Sequence, residues 1–240
     1  ARFIIFWSLP VSALFIILRA QIVRVILGSG LFNWDDTRLT AASLALFALS
    51  SVFQCLSLLF VRGFYSAGFT RKPFFINLAS TTLLILGTWG LIKVYYLAEG
   101  FRYFTNALLK VEDLPNTLIL MLPLGFSLAA ILNGLIHWIV FEKEFRGFSR
   151  LVLRTLFEGL GTAVIMGAVA YAGLNIFVLL FSTDSLVGIF LQGFVSALLA
   201  ILIGIGVLFA LKSRELKDIS RAMHAKFWKA KVIATDPEIV

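Results

Sequence analysis

The sequence predicts an all-α integral membrane protein with six spanning helices, and three observations predict it. Sixty per cent of the residues are hydrophobic and only 14% are charged, with a mean hydropathy of +0.97, whereas an ordinary soluble domain carries about 25% charged residues. Six apolar runs, at 3–27, 40–61, 74–98, 117–141, 155–181 and 186–211, are long enough to cross a hydrocarbon core, which takes about 20 residues. None of them alternates polar with apolar residues, and backbone in lipid must bond within a helix or a closed barrel. The 24 phenylalanines exceed the needs of a core of this size, and lipid-facing surfaces accept them.

The first run is the least regular. It is uninterrupted only from Phe3 to Leu18, so Arg19 is expected to snorkel to the interface, with Arg24 beyond it. Pro10 lies inside it and is expected to kink the helix. The second run follows FNWDDTRLT (32–40), where Asp35 and Asp36 make a good helix start. Then comes RGFYSAGFTRKP (62–73), in which Gly63 and Gly68 would permit the chain reversal and Pro73 would open the third helix. Residues 99–116, mixing aromatics and charges, read as a short interfacial helix. Pro123 lies inside the fourth run and should kink it, and Asn133 and His137 stand four residues apart on one of its faces. The fifth run places Gly159, Ala163 and Gly167 at four-residue intervals, and the sixth has Gly193 and Ala197, the spacing that lets helices approach closely in lipid. STDS (182–185) joins them as a tight hairpin. Residues 212–231 put Leu216, Ile219, Met223 and Phe227 among lysines and arginines, a basic amphipathic helix for the inner leaflet, and ATDPEIV reads as a disordered end. Three units result: 1–142, the hairpin 143–211, and the tail 212–240.

Charge gives the orientation. The net charge is +8, but the basic residues sit between apolar runs and in the tail, which favours anionic membrane surfaces over nucleic acid. Arg2, the 62–72 stretch, the 142–154 loop and the tail hold fifteen of the 21 lysines and arginines; the opposite side holds Arg19, Arg24, Arg38, Lys93, Arg102 and Lys110. The richer side, with both ends of the chain, is expected in the cytoplasm. The chain opens at Ala1-Arg2 directly into a spanning run, which reads as the start of a truncated sequence.

Chemistry is sparse. No run has a carboxylate near its middle, so none supplies a buried acid for a proton relay or an ion site. Cys55 is alone, and His137 and His224 cannot hold a metal by themselves. Neither a nucleophile elbow nor a phosphate-binding glycine loop is present, so an enzyme is not expected and no cofactor is implied. The intramembrane polar residues are neutral: Gln54, Asn77, Thr81, Thr82, Thr88, Asn133, His137, Asn175 and Gln192. Asn133 and His137 would either bond neighbouring helices or line a substrate path. Arg62, Arg71 and Lys72 would either anchor the loop or touch lipid headgroups.

The order of these features resembles the MurJ/MviN family of lipid II flippases. The residues that carry it are Leu9-Pro10, Gly30-Leu31-Phe32, Asp36-Thr37-Arg38-Leu39-Thr40-Ala41, Phe64-Tyr65-Ser66 through Pro73, and LAAILNGLIHW, all within 1–142. The resemblance implies a transporter with fourteen spanning helices in two lobes, of which this chain would be helices nine to fourteen. It further implies export of an undecaprenyl-pyrophosphate-linked cell-wall precursor across the bacterial cytoplasmic membrane by alternating access. The missing first eight helices would carry the family's pyrophosphate-binding arginines. The fifth and sixth runs would form a lipid-tail groove in which Gly159, Ala163 and Gly167 leave room for a prenyl chain. Two features depart from the pattern. Phe69 and Thr70 stand where the family tends to have an acidic residue and Thr. The third run offers Asn77 but no aspartate for the sodium site of some members, which speaks against sodium coupling. Another exporter of the same superfamily, for polysaccharide-lipid or drugs, and a non-transporting membrane scaffold are the alternatives.

Overall fold

A computed structural model describes residues 1–28, 32–180 and 185–228, without the side chains of 220 and 223–228. Helices and turns make up the described residues, with no strand among them. The helices are α1 (Arg2–Ile17), α2 (Arg19–Leu27), α3 (Trp34–Ser66), α4 (Arg71–Leu97), α5 (Glu99–Leu109), α6 (Met121–Glu144), α7 (Phe148–Phe177), α8 (Leu186–Ala210) and α9 (Arg214–Trp228). Five of them are long and apolar enough to span a membrane, and six spans result if the bent pair α1–α2 counts as one.

The first span is not one straight helix. It runs unbroken through Pro10 and bends by 71° at Leu18, eight residues after the expected kink. The bend gives both arginines oxygen partners. Arg19 donates to the Leu109 carbonyl (3.3 Å), and Arg24 donates to the Phe32 carbonyl (3.2 Å). A straight continuation would carry those guanidinium groups along a lipid-facing helix, where charge is costly. Pro123 produces no kink either. A 3₁₀ turn at Thr117–Leu120 precedes α6, so Pro123 sits in the first helical turn, where a missing N–H leaves nothing unsatisfied.

The long helices form a row in the order α4, α6, α3, α1, α7, α8, with α2 crossing from α3 to α8. Small and hydroxyl residues hold adjacent members together. Ser12 meets Ser51 at 2.7 Å between α1 and α3, Ser127 donates to the Leu46 carbonyl at 2.6 Å between α6 and α3, and Gln192 donates to the Leu174 carbonyl at 2.9 Å between α8 and α7. At Gly134, an added Cβ would lie 2.8 Å from the Phe53 Cβ and 3.1 Å from its carbonyl oxygen, so α3 and α6 meet there backbone to backbone. Helix α4 ends the row: of its residues only Pro73, Ile76, Ser80 and Tyr95 are buried.

Two cores cap the bundle at opposite ends of α3 and α6. At one end Phe60 and Phe64 are fully buried among Trp138, Phe141, Phe145 and Phe148, with ring centroids 5.1–6.3 Å apart in contacts such as Phe60–Phe141 and Phe64–Phe145. Part of the phenylalanine excess is therefore packed inside rather than facing lipid. At the other end α5 occupies 99–109 as expected of an interfacial helix, but residues 110–120 then fold inward. Lys110 and Asn116 adopt left-handed backbone, Val111 and Leu114 are buried, and the Tyr95 and Thr117 hydroxyls meet at 2.5 Å. Arg38 of α3 clamps this plug through both oxygens of Asp113 (2.7 and 2.6 Å) and the Lys110 carbonyl (2.7 Å). Those hydrogen bonds hold the Asp113 carboxyl below the usual carboxylate range.

The stretch 62–73 is mostly helix. Helix α3 extends to Ser66, so Gly63 is helical and lies against Phe141 rather than making the reversal. Gly68 alone turns the chain, with φ at +81°. The hairpin turn expected at 182–185 lies, but for Ser185, outside the described residues, as do Gly30-Leu31 and the end ATDPEIV. Helix α9 confirms a helix at 214–228, although the placement of Met223 and Phe227 on its faces lies outside the described side chains.

Candidate functional site

The site is built from α3, α4 and α6 at the α4 end of the row. Gln54, Asn77, Ser80, Thr81 and Asn133 line an open cavity of about 270 Å³, closed on its apolar side by Leu84, Phe126 and two alanines. The helical period places Asn77, Ser80 and Thr81 on one side of α4, three and four residues apart. On α6, Ala129 and Ala130 leave the space that a larger side chain would fill. Gln54 is set by a hydrogen bond from its Nε2 to Ser50 Oγ at 2.9 Å. Asn133 reaches across the cavity, its Nδ2 donating to Asn77 Oδ1 at 3.4 Å.

The donor set is neutral amides and hydroxyls, with no carboxylate and no cation. Ser80 Oγ and Asn133 Oδ1 are buried and have no partner among the described residues. An unpaired buried polar atom costs about 1–3 kcal/mol, so these two groups would gain from any movement that opens them to water or to the polar part of a ligand. Thr88 faces Gly125 so closely that an added methyl would overlap it, which keeps the C-terminal half of α4 pressed onto α6.

Asn133 and His137 have different surroundings. Four residues advance a helix by slightly more than one turn, and His137 comes to lie fully buried one turn nearer the aromatic core, its ring centroid 6.4 Å from Phe64. Its Nδ1 meets the Asn133 carbonyl at 3.0 Å, while Nε2 has no partner among the described residues. His137 is thus a core residue in this arrangement. Lys72 is engaged as well: it pairs with Glu144, joining the ends of α4 and α6, and stands 4.3 Å above the Phe69 ring. Arg62 and Arg71 are exposed at the same end, with no ion pair among the described residues.

The small-residue row of α7 faces α1. Leu9 lies against Gly159, with its Cδ1 3.0 Å from where a Cβ would stand, Ile17 lies against Gly167, and Ala163 is buried. An apolar groove of about 270 Å³ lies elsewhere, at the α1–α2 bend, between Leu18, Ile22 and Ile26 on one wall and Phe190, Gly193 and Ala197 of α8 on the other.

The family model for lipid II flippase MurJ matches residues 1–192. The chain belongs to the MurJ family. The match runs past residue 142, where the motif resemblance stops, and takes in all of α7 and the start of α8. MurJ proteins are flippases of the bacterial inner membrane rather than enzymes, in keeping with the membrane-length apolar helices of this chain. No curated protein and no solved structure matches it.

Within a MurJ chain, the signal for the cavity was partly legible. Gln54, Asn77, Thr81 and Asn133 are among the neutral polar residues of the spanning runs. Ser80 was missed, because a serine in a helix bonds its own backbone so often that it carries no signal by itself.

Proposed function

We propose that this chain forms part of the second lobe of a flippase that moves the undecaprenyl-pyrophosphate-linked peptidoglycan precursor from the inner to the outer leaflet by alternating access. The observation that carries the reading is the neutral polar cavity of α3, α4 and α6 with its two unpaired buried oxygens. A head group rich in hydroxyls and amides suits such a set, because neutral donors and acceptors can release it again. Membership of the MurJ family supplies the substrate class. Residues 1–142 would form the wall of the path. The hairpin 143–211 would hold the lipid tail, which the groove at the α1–α2 bend suits better than the filled row of Gly159, Ala163 and Gly167. Arg62 and Arg71, exposed and unpaired, would attract head groups at entry; Lys72 and His137 would position α4 and α6 around the cavity. Depleting the protein in cells that carry the complete gene should leave the precursor in the inner leaflet and lower its amount on the outer one. An unchanged distribution would rule the reading out.

In this reading both ends of the chain face the cytoplasm. Arg2, Lys72, Glu144 and Glu215 lie near the helix ends on one face of the bundle, and the Arg38–Asp113 clamp lies at the opposite helix ends, a division that agrees with the lysine and arginine count. In a Cys55→Ala background, Ser66→Cys should react with a membrane-impermeant thiol reagent only in inverted vesicles, and Tyr103→Cys only in intact cells. The reverse pattern would invert the topology.

A further inference from the structure

Helix α8 ends at Ala210, and the chain turns sharply into α9. Lys212 takes left-handed backbone (φ +52°), and the Lys212 and Ser213 amides close the turn on the Phe209 and Leu208 carbonyls at 3.0 and 3.1 Å. Glu215 then fixes the first turn of α9. Its carboxylate is almost fully buried and accepts from Thr155 Oγ1 of α7 at 2.7 Å and from Ser213 Oγ at 3.1 Å, with Arg2 Nε at 3.9 Å. Burial alone would raise the Glu215 pKa; those hydrogen bonds and the Arg2 charge bring it below the ordinary value instead. Glu215 stays an anion facing α7, so the opposite side of α9 is left to its cations.

On that side, α8 and α9 enclose a cleft of about 600 Å³. Its floor is apolar: Ile205, Phe209 and Leu216. Its rim is basic: Lys212, Lys217 and Arg221. Lys217 and Arg221 are one helical turn apart and therefore point the same way. None of the three cations makes an ion pair among the described residues, and neither does Asp218, which follows Lys217 in sequence. Phe209 is 78% exposed and Ile205 48%, so the floor continues onto the lipid-facing side of α8.

We infer that this cleft is a binding site for one anionic phospholipid, with the phosphate among Lys212, Lys217 and Arg221 and an acyl chain along Ile205 and Phe209. A soluble phosphate would satisfy the rim but leave the floor uncovered, whereas an acyl chain covers it. The site rests only on the chain being a membrane protein, and does not depend on which precursor is moved. Each cation near an anionic lipid contributes about fivefold in affinity, so three contribute roughly a hundredfold.

The test is native mass spectrometry of the full chain in mild detergent, titrated with dioleoyl phosphatidylglycerol or dioleoyl phosphatidylcholine. We expect one phosphatidylglycerol retained per chain, about tenfold or more over phosphatidylcholine. Lys212→Gln/Lys217→Gln/Arg221→Gln should weaken it by roughly a hundredfold. Lys143→Gln/Arg146→Gln/Arg150→Gln, which removes as many exposed cations elsewhere at the same membrane face, should stay within about twofold of the parent chain, since it leaves the cleft intact. Equal losses in both variants, absence of a preference for phosphatidylglycerol, or displacement of the lipid by glycerol 1-phosphate would each overturn the site, the last by assigning it to a free phosphate. Precursor export is no part of the readout, so failure here is separable from failure of the transport reading.

Discussion

Replacing Asn133 by leucine is expected to lower precursor translocation by about tenfold or more while leaving the fold as stable as before, or slightly more so. The two effects separate because they depend on different atoms. In the resting chain Asn133 makes one long hydrogen bond, to Asn77 at 3.4 Å, and its Oδ1 is buried without a partner. Leucine has the same branched shape, is somewhat larger beside an open cavity, and removes an unsatisfied polar atom, a change that is close to neutral or stabilising. The His137 contact survives, since it uses the Asn133 backbone carbonyl. Translocation loses the hydrogen bond that Asn133 would give the passing head group, and about 1.4 kcal/mol of such a contact is a factor of ten. Thermal unfolding of the purified variant and precursor export in cells, measured side by side, check the separation. A variant that unfolds more easily and transports normally would make Asn133 a packing residue.

The largest stability effect is expected at Gly134. A methyl group there meets both the side chain and the backbone of Phe53, and the backbone cannot rotate away. Gly134→Ala should therefore push α6 from α3 and cost about 1–3 kcal/mol, seen as a lower unfolding temperature in detergent. Gly206→Ala is the matched comparison: nothing lies within 4 Å of its added methyl, and its effect should stay within about 0.5 kcal/mol. Equal effects at the two positions would mean that the close α3–α6 contact does not limit stability.

The fold class was legible in the sequence because bilayer thickness and hydropathy act on whole segments. What escaped was set by single long-range partners. The break at Leu18 depends on oxygens at Leu109 and Phe32, which no local pattern announces. The plug at 110–120 hides its apolar residues, Val111 and Leu114, one and two at a time among charges, and turns on left-handed Lys110 and Asn116, where sequence reading expects glycine. The stretch RGFYSAGFTRKP looked like a loop because of its charges, yet Phe64 is one of the most buried side chains in the molecule. The candidate site was legible as a set of neutral polar residues but not as a place. Asn133 and Asn77 meet across it, whereas His137, four residues away, is drawn into the aromatic core by Phe64. The row Gly159, Ala163 and Gly167 had the right spacing for either packing or a groove, and no local pattern shows that Leu9 and Ile17 of α1 lie against it.

Whether the α3–α4–α6 cavity faces the transport path can be measured at Thr81, which is exposed on its rim. In a cysteine-free background, Thr81→Cys should react with a water-soluble thiol reagent, and precursor accumulated in the membrane should slow that reaction. Leu86→Cys, exposed beside Phe75, Leu78 and Leu83 on an apolar face of the same helix, should not react. Slowed labelling at 81 alone is the predicted result. Labelling at 81 that is absent, or indifferent to the precursor, would contradict the account.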